Sequence, residues 1–80
     1  VRNELKSQLK IFPNPTSGNL YIISNITSEY SIIDVSGRLV TMGQILEGVN
    51  SIDLCSFSNG IYFLKIDGFN NLTKKVIVNH

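Results

Sequence analysis

The sequence is poor in the residues from which chemical sites are usually built. Its 80 residues include one cysteine, one histidine and no tryptophan. A single cysteine excludes an intrachain disulfide, and one cysteine with one histidine is too few for a structural zinc site. The six acidic residues lack the alternate spacing of a calcium loop, and no glycine-rich phosphate loop occurs. We therefore expect no metal, no cofactor and no enzymatic activity.

Charge and long apolar runs are also scarce. Only 16% of the residues are charged and the formal net charge is +1, which gives no electrostatic reason to expect nucleic acid as a partner. No apolar run is long enough to span a bilayer, so we expect no transmembrane segment. A hydrophobic fraction of 42% suits one small folded domain.

The sequence is rich in short segments in which apolar and polar residues alternate, with turn residues about every ten positions. This pattern predicts β-strands, and no stretch has the spacing of an amphipathic helix. We therefore predict an all-β fold, an immunoglobulin-like antiparallel β-sandwich of about seven short strands. The predicted strands cover residues 9–12, 19–24, 29–35, 38–44, 49–54, 61–67 and 72–78.

The first corner, PNPTSG, is expected to set the direction of the strand that follows it. Pro13 and Pro15 hold the residues before them extended, and Asn14 is expected to accept hydrogen bonds from amides two or three residues further on. We expect a positive φ at Gly18, which glycine tolerates without steric cost.

Two further corners have similar chemistry. In DVSGR, Asp34 is expected to cap a turn in which Gly37 takes the left-handed position of a G1-bulge hairpin. In NGIYFLKI, Gly60 follows Asn59 in a turn, and Tyr62 is placed like the tyrosine of a tyrosine corner, whose hydroxyl bonds to an upstream backbone group. Folding alone explains each of these corners.

The two candidate catalytic side chains do not form a convincing pair. His80 is the last residue, where we expect mobility, and Cys55 is expected to fill core volume between Leu54 and Phe57. A fixed Cys–His pair is therefore not expected.

Taken in order, PNPTSG, DVSGRLV, NGIYFLKI and KKVIV resemble the motifs of the type IX secretion system C-terminal sorting domain, type A, of Bacteroidota. The resemblance implies an immunoglobulin-like domain, residues 9–80, joined by a linker, residues 1–8, to an upstream cargo domain. The family's motif positions would be the following: Pro13, Asn14, Pro15, Gly18, Asp34, Gly37, Gly60, Tyr62, Lys74, Lys75, Val76, Ile77 and Val78.

The same resemblance implies a function and partners. The domain would direct its cargo from the periplasm through the outer-membrane type IX translocon to the cell surface or exterior, and a sortase-like cysteine protease would often remove it. Members of this family often finish on or beside a basic residue, whereas this chain finishes Asn79-His80. The alternative function is a carbohydrate-binding or adhesion module, for which Tyr21, Tyr30 and Phe69 are the candidate exposed aromatics.

The last strand is predicted to lie at a sheet edge. Lys74 and Lys75 would point to opposite faces, and one of them would discourage chance pairing. The free edge could be extended by a strand of the translocon. The strand could equally do no more than complete a sheet, because both interpretations predict the same alternation.

Overall fold

The computed structural model describes residues 9–69 and 72–80, and these residues form two packed antiparallel sheets. The strands are β1 (Leu9–Phe12), β2 (Asn19–Ser24), β3 (Ser28–Asp34), β4 (Leu39–Ile45), β5 (Gly48–Asp53), β6 (Gly60–Ile66) and β7 (Leu72–Val78). One 3₁₀ turn, Asp67–Phe69, follows β6. The prediction of an all-β sandwich with seven strands is confirmed, and three of the strands have the predicted bounds.

The two sheets are arranged as β1-β2-β5 and β4-β3-β6-β7. Apolar side chains at alternate positions of both sheets meet between them, as the period of two predicts. The core consists of the following buried residues: Leu20, Ile22, Ile32, Ile45, Ile52, Leu54, Leu64, Ile66, Val76 and Val78. The alternation predicted for β6 is present, because Leu64 and Ile66 are buried while Ile61 and Lys65 are exposed.

Gly43 in β4 leaves room for an aromatic ring of the neighbouring strand. It pairs with Tyr30 of β3, and a Cβ at Gly43 would lie 2.8 Å from the Tyr30 Oη atom. The ring covers the glycine and packs against the core. Partial burial raises the pKa of the Tyr30 phenol, because the charged form loses solvation.

The two ends of the sandwich differ in what they contain. Leu9, where β1 begins, pairs with Ser24, and Ser24 pairs with Gly48 of β5. At the other end, β3 finishes beside the start of β6, and the end of β7 pairs with Gly60. The described chain therefore enters the fold at one end and finishes at the other.

Candidate functional site

Most of the predicted motif residues lie at the same end of the sandwich. Asp34 pairs with Tyr62, Gly60 pairs with Val78, and Thr16 forms an isolated parallel bridge with Val78. We call this region the motif end, and it comprises residues 13–18, 34–38, 57–62 and 76–80. Four segments that are far apart in sequence thus meet in one place.

The first corner is joined to β7 by hydrogen bonds, an arrangement that we call the corner clamp. The Asn14 Nδ2 donates to the Lys75 carbonyl at 2.8 Å, and the Ile77 amide donates to Asn14 Oδ1 at 3.0 Å. The Thr16 amide donates to the Ile77 carbonyl at 2.8 Å, and the Asn79 amide donates to the Thr16 carbonyl at 2.9 Å. The prediction that Asn14 accepts hydrogen bonds from nearby amides was therefore wrong. Its side-chain amide bonds instead to β7, more than sixty residues away in sequence, because backbone groups on the outer edge of β7 lie beside it.

The corner clamp also changes what the edge of β7 can do. The strand lies at the edge of its sheet, as predicted, and it pairs with β6 on one side. On its outer side, the Lys75 carbonyl, both backbone groups of Ile77 and the Asn79 amide already have partners. The expectation that a partner strand extends this edge is therefore wrong for its C-terminal half.

Gly18 occupies the corner for a reason that sequence analysis missed. Its φ is not positive, so the predicted left-handed conformation is wrong. It is buried, its carbonyl accepts a hydrogen bond from the Leu54 amide, and an added Cβ would lie 3.1 Å from the Cys55 Sγ. Close approach of the two chain segments explains the glycine.

The peptide bonds before Pro13 and Pro15 are both cis.

The Asp34 turn has the predicted conformation. Its Oδ1 accepts hydrogen bonds from the Ser36 amide, the Ser36 hydroxyl and the Arg38 amide, at 3.0, 2.6 and 3.0 Å. Gly37 has φ +88°, and its amide donates to the Asp34 carbonyl. The Ser36 hydroxyl above all, then the Arg38 amide, lowers the pKa of Asp34, so the carboxylate stays ionised in its cap.

Tyr62 forms the predicted tyrosine corner. Its hydroxyl donates to the Ser58 carbonyl at 2.7 Å, four residues upstream. Its ring packs against that of Phe57, with centroids 5.1 Å apart and planes tilted by 58°. The hydrogen bond and the ring contact together hold the loop before β6 against the sheet.

His80 makes three contacts, although mobility was expected for the last residue. Its ring nitrogens lie 3.1 Å from the Ser17 carbonyl and 2.7 Å from the Phe57 carbonyl, and its amide donates to Asn59 Oδ1. Carbonyl oxygens only accept, and a neutral imidazole has one N–H, so only the imidazolium satisfies both contacts. The carbonyls of Phe57 and then Ser17 accordingly raise the pKa of His80.

The prediction that Cys55 fills core volume was wrong, because the residue is exposed. It follows Leu54, the last buried residue before the turn, and its amide donates to Asp53 Oδ1 at 2.9 Å. The hydrogen bond with the Asp53 side chain, followed by the carboxylate's charge, raises the pKa of the Cys55 thiol and disfavours the nucleophilic thiolate.

Among the described residues there is no cluster of three or more metal-ligating side chains, and no helix is long and apolar enough to cross a membrane.

An open cleft of about 570 Å³ lies at the motif end, beside the Asp34 turn and the tyrosine corner. Arg38 borders it, and its Nε lies 3.3 Å from Asp34 Oδ2. The carboxylate that faces the cleft is therefore already engaged in its own turn. The arrangement holds the loops of the motif end in fixed positions.

Among the side chains that the structure describes, the candidate aromatics are packed against neighbouring residues. Tyr21 is half-buried and packs against Phe12, with ring centroids 5.8 Å apart, and Tyr30 covers Gly43. The side chain of Phe69 lies outside the described part of the structure. The alternative of a carbohydrate-binding or adhesion module is therefore not supported.

Comparison with known protein families gives a match. A family model described as "Secretion system C-terminal sorting domain" matches residues 10–79. The matched segment begins at the second residue of β1 and ends one residue beyond β7, so it covers the strands except for Leu9. No curated protein matches the chain.

Proposed function

Because the chain belongs to the family of secretion system C-terminal sorting domains, the sorting signals of type IX secretion cargo, we propose that its motif end is the part that the export machinery recognises. The motif residues are taken to act by presenting a fixed surface, with Lys74 and Lys75 as its charged border. The corner clamp is the observation that carries the proposal. It makes the first and last motifs one hydrogen-bonded unit, so the machinery would bind a surface that exists only in the folded domain.

The placement of the chain ends supports this assignment. Polypeptide that precedes Leu9 joins the fold beside Ser24, at the end opposite the motif end. A cargo domain attached there would leave the motif end accessible. Residues 1–8, which lie outside the described residues, would then be the linker between the cargo and the sorting domain.

The individual steps of export are also proposed. The family implies attachment to a cargo protein, type IX secretion machinery and export toward the cell surface or extracellular space. We propose transit through the periplasm, recognition by the outer-membrane translocon, and removal of the domain by a sortase-like cysteine protease. This family is not an enzyme family, and we propose that the chain itself catalyses no reaction.

The proposal is tested by exporting a reporter protein fused to residues 9–80 in a bacterium that has a type IX system. The intact fusion is expected outside the cell, and the reporter without the domain is expected in the periplasm. Lys74→Glu with Lys75→Glu should reduce export while circular dichroism and the urea midpoint stay near wild type, since both side chains are exposed. Lys10→Glu, an exposed lysine in the other sheet, is the matched control.

Two outcomes would overturn the proposal. Equal export with and without the domain would remove the sorting function from the chain. Unchanged export of a folded Lys74→Glu, Lys75→Glu variant would remove the lysine pair from the recognition surface. Mass spectrometry of a reporter fused to residues 1–80, which keeps the proposed linker, gives a separate test of domain removal, because a cleaved product ends before β1.

A further inference from the structure

The outward face of the four-stranded sheet carries a contiguous apolar band. Side chains of directly paired residues lie on the same face of a sheet. Leu39, Ile33 and Phe63 are paired across β4, β3 and β6, and they form one row of the band. Ile61 and Ile77 are paired across β6 and β7 beside that row, and Met42 lies on the same face of β4.

This apolar band is exposed in the isolated chain. Met42 is 64% exposed, Leu39 is 51% exposed and Ile61 is 42% exposed, while Ile33, Phe63 and Ile77 are partly buried by their neighbours. Single exposed apolar residues are common on protein surfaces, whereas here exposed and partly buried apolar residues lie side by side across four strands. The other face of the same strands is already buried in the core.

Positive charge borders the apolar band on the β6–β7 side. Lys75 pairs with Phe63 and therefore continues the first row, and Lys65 pairs with Ser31 one row further along. Both lysines are exposed. An acidic residue on this face, Glu29, pairs with Gln44 nearer the opposite end of the sandwich. A complementary partner would therefore present an apolar surface with carboxylates next to it.

We propose that a protein component of the export machinery docks on this apolar band, with carboxylates of that component facing Lys65 and Lys75. The inference rests on the proposed function and names the surface by which the domain is held. The charged border would speed the encounter and fix the orientation, and the apolar side chains would supply most of the affinity.

The size of the band argues against a second copy of the chain as its occupant. Strands lie about 4.8 Å apart and rise about 3.4 Å per residue, so the band measures roughly 14 by 14 Å, or about 200 Å². Stable protein pairs usually bury about 800 Å² on each partner. A small contact would bind weakly enough for the export machinery to release the domain later. The upstream cargo is a poor occupant, because the chain enters at Leu9, on the other sheet and at the opposite end.

The test compares two glutamate substitutions in the reporter fusion. Met42→Glu places a charge in the apolar band, and Val49→Glu places one at a site 71% exposed in the other sheet. Both variants are expected to keep the wild-type urea midpoint. Export should fall about tenfold or more for Met42→Glu and stay near wild type for Val49→Glu, since truncated hot spots commonly cost that much. Lys65→Glu should slow export, while Lys10→Glu should not.

Export of the folded Met42→Glu variant at the wild-type rate would overturn the docking inference while leaving the proposed function intact, because the intact fusion still reports on sorting. Sedimentation of the purified chain checks the occupant. A dimer that Met42→Glu dissociates would show that a second copy covers the band, which also overturns the inference. Loss of export by the intact fusion would count against the proposed function itself.

Discussion

Replacing Asn14 by alanine removes the side-chain half of the corner clamp and leaves its backbone half in place. Two hydrogen bonds are lost, one to the Lys75 carbonyl at 2.8 Å and one from the Ile77 amide at 3.0 Å. Each such bond contributes about 0.5–1.5 kcal/mol net to the free energy of unfolding. Both lie in exposed surroundings, where water replaces the lost partner. We therefore expect a loss of about 1–2 kcal/mol, toward the lower part of the summed range.

Two substitutions make this prediction specific. Asn14→Asp keeps an acceptor for the Ile77 amide but turns a carboxylate toward the Lys75 carbonyl, so it should not restore the wild-type stability. Asn79→Ala is the matched control: within the described residues its hydrogen bond to the clamp is made by the backbone amide, which alanine retains. Asn79→Ala should therefore leave the free energy of unfolding nearly unchanged.

Urea unfolding followed by circular dichroism measures the change in free energy, and amide hydrogen exchange locates it. Exchange of the Ile77 amide should accelerate in Asn14→Ala, because this amide loses its acceptor, while the buried strands β2 and β3 keep their protection. If Asn14→Ala and Asn79→Ala had equal unfolding midpoints and the Ile77 amide stayed protected, the hydrogen bonds of the clamp would not contribute to stability and the reasoning would fail.

Three other perturbations have defined outcomes. Gly37→Val should cost over about 1 kcal/mol in urea unfolding, since φ is +88° there, and export should fall only as far as folding does; loss of export at unchanged stability would place Gly37 in the recognition surface. Tyr62→Phe should cost about 1 kcal/mol through the lost bond to Ser58, and an unchanged midpoint would contradict this role. The pKa of His80 is raised in the folded chain, so its contribution to stability is complete below about pH 6.5 and is lost as pH rises through the folded pKa. Urea midpoints between pH 5.5 and 8.5 should therefore fall in the wild type and stay flatter in His80→Ala; parallel profiles would refute the assignment.

The strands and two of the corners could be predicted because the physics that sets them is local. Alternation depends on which side chains face the core, so it located all seven strands to within one residue. The Asp34 turn and the tyrosine corner form within five residues of chain, and their sequence contains every partner. Local hydrogen bonding therefore predicted the left-handed conformation at Gly37 and an upstream backbone partner for Tyr62.

The errors fall where distant segments meet. Asn14 and Ile77 are 63 residues apart, and no spacing in the sequence relates them. Gly18 faces Cys55, so its requirement is for space and not for a special φ. His80 contacts Ser17 and Phe57 because the β1–β2 and β5–β6 loops both lie beside it. The contacts of Asn14 and His80 depend on how the two sheets are stacked, and that of Gly18 depends on how β2 and β5 pair within one sheet. Alternation alone determines neither.

The order of synthesis gives the corner clamp a consequence for quality control. The ribosome makes Asn14 before its hydrogen-bonding partners in β7. A polypeptide whose translation stops short of β7 leaves the edge of β6 unpaired and lacks the surface on which we propose recognition depends. The export machinery would then not recognise an incomplete cargo protein. This consequence can be tested by measuring the protease resistance of nascent chains stalled at successive lengths. Protease resistance that appeared before β7 left the exit tunnel would contradict it.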